Sequence, residues 1–136
     1  MTTNVYHSEK IFSKPKIADI VLFALFFLRD KGYYRLYSFV IMPEHLHLII
    51  LPQDKKTLSQ IMHSIKSYTA KKMNHFLGRS GKVWQDGFYE RIIRNKDDLR
   101  EKAGYIENNP VRRKLVEAPE KYFYCSAHHR ETMDYF

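Results

Sequence analysis

One stretch constrains this chain more than any other: Val40-Ile41-Met42-Pro43-Glu44-His45-Leu46-His47-Leu48-Ile49-Ile50. Residues 33–41 are rich in aromatic and β-branched side chains and read as a strand. Met42-Pro43-Glu44 turns the chain, and residues 45–51 return as a second strand that Pro52 ends. So short a connection makes the two strands antiparallel neighbours. Alternate side chains of a strand share a face, so His45 and His47 project together, roughly 7 Å apart at the backbone. Two imidazoles so placed can converge on one cation, although a His-Leu-His on a strand is also compatible with an exposed pair that binds nothing.

The flanking sequence supplies helices. Ser13-Lys14-Pro15 is a helix-start signal; Ile17, Ile20, Val21, Ala24, Leu25 and Leu28 recur at helical spacing, and Gly32 marks the stop. Thr57-Leu58-Ser59-Gln60 has the form of a capping box, and Gly78 caps the helix that follows. Val5-Tyr6-His7 reads as a short first strand, and residues 83–94 as a further strand bent at Asp86-Gly87. Asn95 is an N-cap ahead of acids in a first turn, so a third helix is expected from 96 to about 108, stopped by Pro110. The expected fold class is α+β. It is a ferredoxin-like antiparallel sheet in β-α-β-β-α-β order with helices on one face, plus an additional C-terminal helix carrying the tyrosine Tyr105.

A length of 136 residues suits one domain spanning 1–136, with enough chain to bury a core. The apolar fraction of 44% with 28% charged residues places it among soluble globular proteins. The net charge of +8 favours a polyanionic partner. Cys125 is the single cysteine, which excludes an internal disulfide and fits a reducing compartment. No leader is legible, and the apolar run 17–28 contains Asp19 and is too short to cross a bilayer. The expectation is a cytoplasmic protein with no membrane partner.

Two histidines do not make a site, and the candidates to complete it lie far along the chain. Tyr105 and Asn109 stand four residues apart, on one face of a helix. The amide oxygen of Asn109 could complete a hard-cation site that leaves positions open for substrate and water. Tyr105 would then stand beside the ion as a nucleophile. A divalent cation on phosphate oxygens polarises phosphorus for attack, and a tyrosine oxygen can form a covalent ester that divides a transfer into two steps. Taken alone, Tyr105 reads first as a core aromatic of an amphipathic helix, and Asn109 as a helix-terminal residue before proline.

Three blocks together carry a resemblance: His45-Leu46-His47 within its apolar run, Trp84-Gln85-Asp86-Gly87-Phe88-Tyr89-Glu90-Arg91, and Tyr105-Ile106-Glu107-Asn108-Asn109-Pro110-Val111-Arg112. With Ala118-Pro119-Glu120-Lys121-Tyr122 they follow the order and spacing of the single-tyrosine HUH transposases. The chain resembles in particular the insertion-sequence-200-like and REP-associated tyrosine transposases. The resemblance implies a single-strand DNA endonuclease and strand transferase dependent on Mg2+ or Mn2+, working through a 5′-phosphotyrosine intermediate. It implies His45, His47 and Asn109 as metal ligands and Tyr105 as nucleophile. It also implies single-stranded or hairpin DNA as partner, and leaves both a homodimer and a monomer open. The chain departs from the family pattern at Glu44, where asparagine is expected, at its short first strand, at Gly104 beside the tyrosine, and at Tyr124-Cys125-Ser126 in place of a tryptophan-serine-serine run.

Candidate phosphate contacts are Lys66, Lys71, Lys72, Arg79, Lys82, Arg91, Arg94, Arg112 and Arg113, with Arg91 and Arg94 favoured because their strand leads into the tyrosine helix. Trp84 is a candidate stacking platform for unpaired bases, although a core position is the stronger reading for it. The competing readings are a replication-initiator or relaxase-like nickase with the same chemistry, and a non-catalytic DNA-binding relative of the transposases.

Overall fold

The computed structural model describes residues 8–135 together with the backbone of residues 2–4. In chain order the elements are β1 (Thr2–Asn4), α1 (Pro15–Asp30), β2 (Tyr34–Met42), β3 (His45–Pro52), α2 (Leu58–Leu77), α3 (Lys96–Glu107) and the single turn α4 (Asn109–Arg112). The local signals act as their chemistry requires. Pro15 opens α1. Thr57 and Gln60 form a complete capping box on α2, and Gly78 ends that helix with φ of 66°. The Asn95 side chain accepts the Asp98 N–H at 2.8 Å to start α3.

The sheet order is β1-β3-β2, all antiparallel, so β3 is the central strand. The β2–β3 ladder alternates between two faces. The pairs Leu36–Ile50, Phe39–Leu48 and Ile41–Leu46 face α1 and α2, where they join Ile17, Val21, Leu25, Ile61 and Ile65 in the main core. The pairs Ser38–Ile49, Val40–His47 and Met42–His45 face the other way. There Val40, Met42 and Ile49 meet Leu99 and Ile106 of α3, with Cys125. This alternation survives because a bulge at Tyr37 inserts one extra residue, shifting Leu36 and Phe39 onto the same face despite their odd spacing. The two helices expected together thus lie on one face, and the tyrosine helix covers the opposite one.

Two expected strands need correction or relocation. Val5-Tyr6-His7 lies outside the described residues, and the first strand is Thr2–Asn4. Residues 83–94 do not form a strand; they run irregularly with single bridge positions at Trp84 and Tyr89. Gly87 adopts φ of 73° there, and the Lys66 ammonium donates to the carbonyls of Gln85 and Gly87, taking acceptors that a ladder would use.

The aromatic tail, irregular in sequence, has a definite structural task. It covers the outer edge of β2. Ile41 N–H donates to Tyr124 O at 2.8 Å, the Tyr122 hydroxyl donates to Ile41 O at 2.8 Å, and Asp134 N–H donates to Leu36 O at 3.1 Å. An edge strand left open would be a template for aggregation.

Candidate active site

His45 and His47 begin β3, on the face covered by α3. Their rings stand at 82° to one another with centroids 4.5 Å apart, close enough for one nitrogen of each to reach a shared cation. Both are partly buried. Burial, then the neighbouring His45, pushes the His47 pKa down to about 3. Burial also lowers that of His45, against the opposing pull of the Glu44 carboxylate. Both imidazoles are therefore neutral at pH 7, the form that ligates a metal.

Glu44 occupies the turn between the strands and is mostly covered, with 16% of its side chain exposed. Its Oε1 accepts from His45 Nδ1 at 3.0 Å and from an Arg113 guanidinium N–H. Its Oε2 is buried with no hydrogen-bond partner among the described residues. Burial alone would raise the Glu44 pKa; the hydrogen bonds from Arg113 and His45 and the charge of Arg113 outweigh it and hold the carboxyl below its usual range. Because His45 is neutral at pH 7, Arg113 supplies the positive charge there.

Tyr105 projects from the last turn of α3 and is 61% exposed, so it is not the core aromatic that its helix could have made of it. Ile106, its neighbour, anchors α3 in the cluster with Val40 and Met42, the cross-strand partners of His47 and His45. The Arg112 guanidinium lies 3.9 Å from the Tyr105 ring centre and donates to the Tyr105 carbonyl at 2.8 Å. The charge of Arg112 also contributes to lowering the His47 pKa. The Arg112-Arg113 pair therefore spans the tyrosine and the histidine strand. Asn108 keeps right-handed helical geometry (φ −85°, ψ −3°), so Asn109 stays one turn beyond Tyr105. Among the described residues no three His, Cys, Asp or Glu side chains are grouped to hold a metal.

Sequence reasoning missed Glu107. This buried residue accepts from Ser126 Oγ at 2.5 Å, from Arg130 Nη2 at 2.5 Å and from Ser38 Oγ at 3.4 Å. Ser126 Oγ in turn accepts the Phe39 N–H at 3.1 Å. The network pins the end of the tyrosine helix to β2 and to the tail. A glutamate two positions after a candidate nucleophile gives no sequence cue of burial, because its partners lie at 38, 126 and 130.

The basic residues divide into two groups. Arg91 and Arg94 are exposed and line a cleft of about 560 Å3 with Tyr37, Ile49, Leu51 and Ile93. Lys71 is exposed, and Lys72 lies 5.3 Å from the centre of the Tyr68 ring. The others have internal partners: Arg79 with Glu9 at 3.2 Å, Lys82 with Asp86 at 2.9 Å, Lys66 with two carbonyls, Arg112 with Tyr105 and Arg113 with Glu44. Trp84 requires correction as a base-stacking platform. It is 5% exposed, packs on Phe12 with ring centres 5.2 Å apart, and donates its indole N–H to Thr69 Oγ1 at 2.9 Å. Its large apolar area is better buried than presented to solvent.

Residues 5–109 match the family described as Transposase IS200 like. The chain is 32% identical over 101 residues to a REP-associated tyrosine transposase of Escherichia coli (strain K12), covering 74% of this chain and 58% of that protein. It is 29% identical over 98 residues to a putative REP-associated tyrosine transposase of Haemophilus influenzae, covering 65% of this chain and 56% of that one. It thus spans a little over half the length of these curated relatives. A solved REP-associated tyrosine transposase bound to a REP hairpin superposes with a TM-score of 0.77 at 23% identity, over 94% of this chain and 74% of the other, and shares its fold. With a match across most of its length and the histidine pair and tyrosine helix on one face of the sheet, the chain belongs to the IS200-like transposase family.

Proposed function

We propose that this chain cleaves and rejoins single-stranded DNA as a transposase, with Tyr105 as nucleophile and His45, His47 and Asn109 holding Mg2+ or Mn2+. The observation that carries the reading is the placement of α3 over the sheet face on which the two neutral imidazoles sit 4.5 Å apart. The donor set, two imidazoles and an amide oxygen, suits a divalent cation that retains open positions. Such an ion, when bound, would offset phosphate charge and polarise phosphorus.

The chain's own groups then act in order. The exposed Tyr105 hydroxyl loses its proton to water as its oxygen attacks phosphorus. The Tyr105 O–P bond forms and the bond to the 3′ oxygen breaks; that oxygen takes a proton and leaves as a 3′-hydroxyl. The 5′-phosphotyrosine ester keeps the energy of the broken linkage. Attack by another strand's 3′-hydroxyl reverses the exchange and joins the strands. Arg91 and Arg94, exposed beside the cleft, hold the DNA backbone. A hairpin beside the cleavage point is the preferred substrate, by analogy with the hairpin-bound structural neighbour.

The test is incubation with single-stranded and hairpin oligonucleotides in Mn2+, followed by denaturing electrophoresis. A covalent protein–DNA species is expected, with a free 3′-hydroxyl on the released fragment. Tyr105→Phe and chelation should each abolish it. An adduct that persists in Tyr105→Phe, or cleavage without any adduct, overturns the proposal.

A further inference from the structure

We propose that Glu44 is a positioning residue for the histidine pair: it fixes His45 through Nδ1 so that Nε2 is the nitrogen offered to a cation, and it ties that ring to the tyrosine segment through Arg113. The inference rests on the ion-binding reading above and adds a residue to it.

The geometry is specific. Glu44 sits in the turn between Met42 and His45, so its side chain is carried by the same hairpin that carries the pair. One oxygen, Oε1, receives both donors, His45 Nδ1 at 3.0 Å and an Arg113 N–H. A neutral imidazole that donates from Nδ1 has its lone pair on Nε2. A carboxylate behind a ligating histidine also raises the basicity of the ligating nitrogen and stops the ring from rotating. Arg113 immediately follows α4, and its neighbour Arg112 lies against Tyr105. The single carboxylate therefore sets the register between the histidine hairpin and the segment carrying the tyrosine. The cost is visible: Oε2 remains buried without a partner among the described residues, an arrangement that a turn glutamate serving only solubility would avoid by facing water.

The test uses the full chain with Mn2+ alone, without DNA. Nitrogen-15 spectra of the metal-free protein report the His45 tautomer, and calorimetry reports Mn2+ affinity. The wild type should show His45 protonated at Nδ1. Glu44→Ala should populate both tautomers and weaken Mn2+ binding about 10- to 100-fold. Glu44→Gln, which keeps an acceptor oxygen, should restore the tautomer and most of the affinity, a rescue that a purely structural role would not produce. Should Glu44→Ala fail to fold, Arg113→Ala serves instead, with a weakened tautomer bias and several-fold weaker binding expected. A folded Glu44→Ala that keeps the Nδ1 tautomer and wild-type affinity overturns the clamp alone. A wild-type chain that takes up no Mn2+ overturns the ion-binding reading beneath it, whatever the tautomer does.

Discussion

Replacing Glu107 with alanine should cost this fold about 3 kcal/mol, and the loss should be shared with Ser126. The carboxylate lies 2.5 Å from Ser126 Oγ in a buried position. A charge-assisted hydrogen bond of that kind contributes roughly 1.5–3 kcal/mol. The Arg130 partner is 56% exposed, so its pairing is screened and adds at most about 1 kcal/mol. Truncation also leaves a small void beside Ser38 and Ser126, worth about another 1 kcal/mol. Urea denaturation should show a lower midpoint with an unchanged slope, since the surface exposed on unfolding is the same. Ser126→Ala should then cost much less in the Glu107→Ala background than in the wild type, with a coupling energy of about 1–2 kcal/mol. Because Glu107 lies two residues beyond Tyr105, DNA cleavage should fall more than DNA binding. A Glu107→Ala protein within about 0.5 kcal/mol of wild type, or two strictly additive substitutions, would refute the network as the anchor of the tyrosine helix.

Other outcomes follow from single positions. A Cβ at Gly104 would meet nothing within 4 Å, so Gly104→Ala should stabilise α3 by roughly 0.5–1 kcal/mol; if a soft point there lets Tyr105 move, cleavage slows while DNA binding is spared, and unchanged strand-transfer rates reject the idea. Arg91→Ala and Arg94→Ala should each weaken single-stranded DNA binding and reduce the salt slope by about 0.7, measured by titration at several ionic strengths. Trp84→Phe should leave DNA affinity unchanged while lowering stability by about 1 kcal/mol through loss of the bond to Thr69, which an affinity change would contradict. Burial pushes Cys125 up to about 11 from an ordinary thiol value of 9.0. Between those values the unfolded chain has lost a proton that the folded chain keeps, so stability falls as pH rises from about 9 to 11, by roughly 2–3 kcal/mol from this group. Unfolding curves across that range should be flatter for Cys125→Ala.

Much of the fold was legible because its signals are local. A proline at a helix start, a Thr-x-x-Gln capping box, a Gly after a periodic run and an Asn before acidic residues each act within one turn of chain. The structure uses all four. The β2–β3 hairpin was equally legible, since two apolar runs joined by so short a turn have one pairing open to them. From the residues alone, the common face of His45 and His47 followed from strand periodicity, and the one-turn spacing of Tyr105 and Asn109 from helical periodicity. What tertiary structure decided were relations between distant residues. Strand propensity at 83–94 yielded to the demands of packing: Trp84 went to the core against Phe12 and Thr69, and Lys66 took the carbonyls of the Asp86-Gly87 bend. Periodicity does not say which face a helix covers, so only packing put α3 opposite α1 and α2, over the histidines. Charge count does not separate cations that meet solvent from those engaged inside the fold. Arg91 and Arg94 are exposed and line a cleft, while Arg113 is committed to Glu44 across 69 positions of sequence. Residue type and local spacing dictate secondary structure, whereas the long-range meeting of charges depends on where the folded chain brings them.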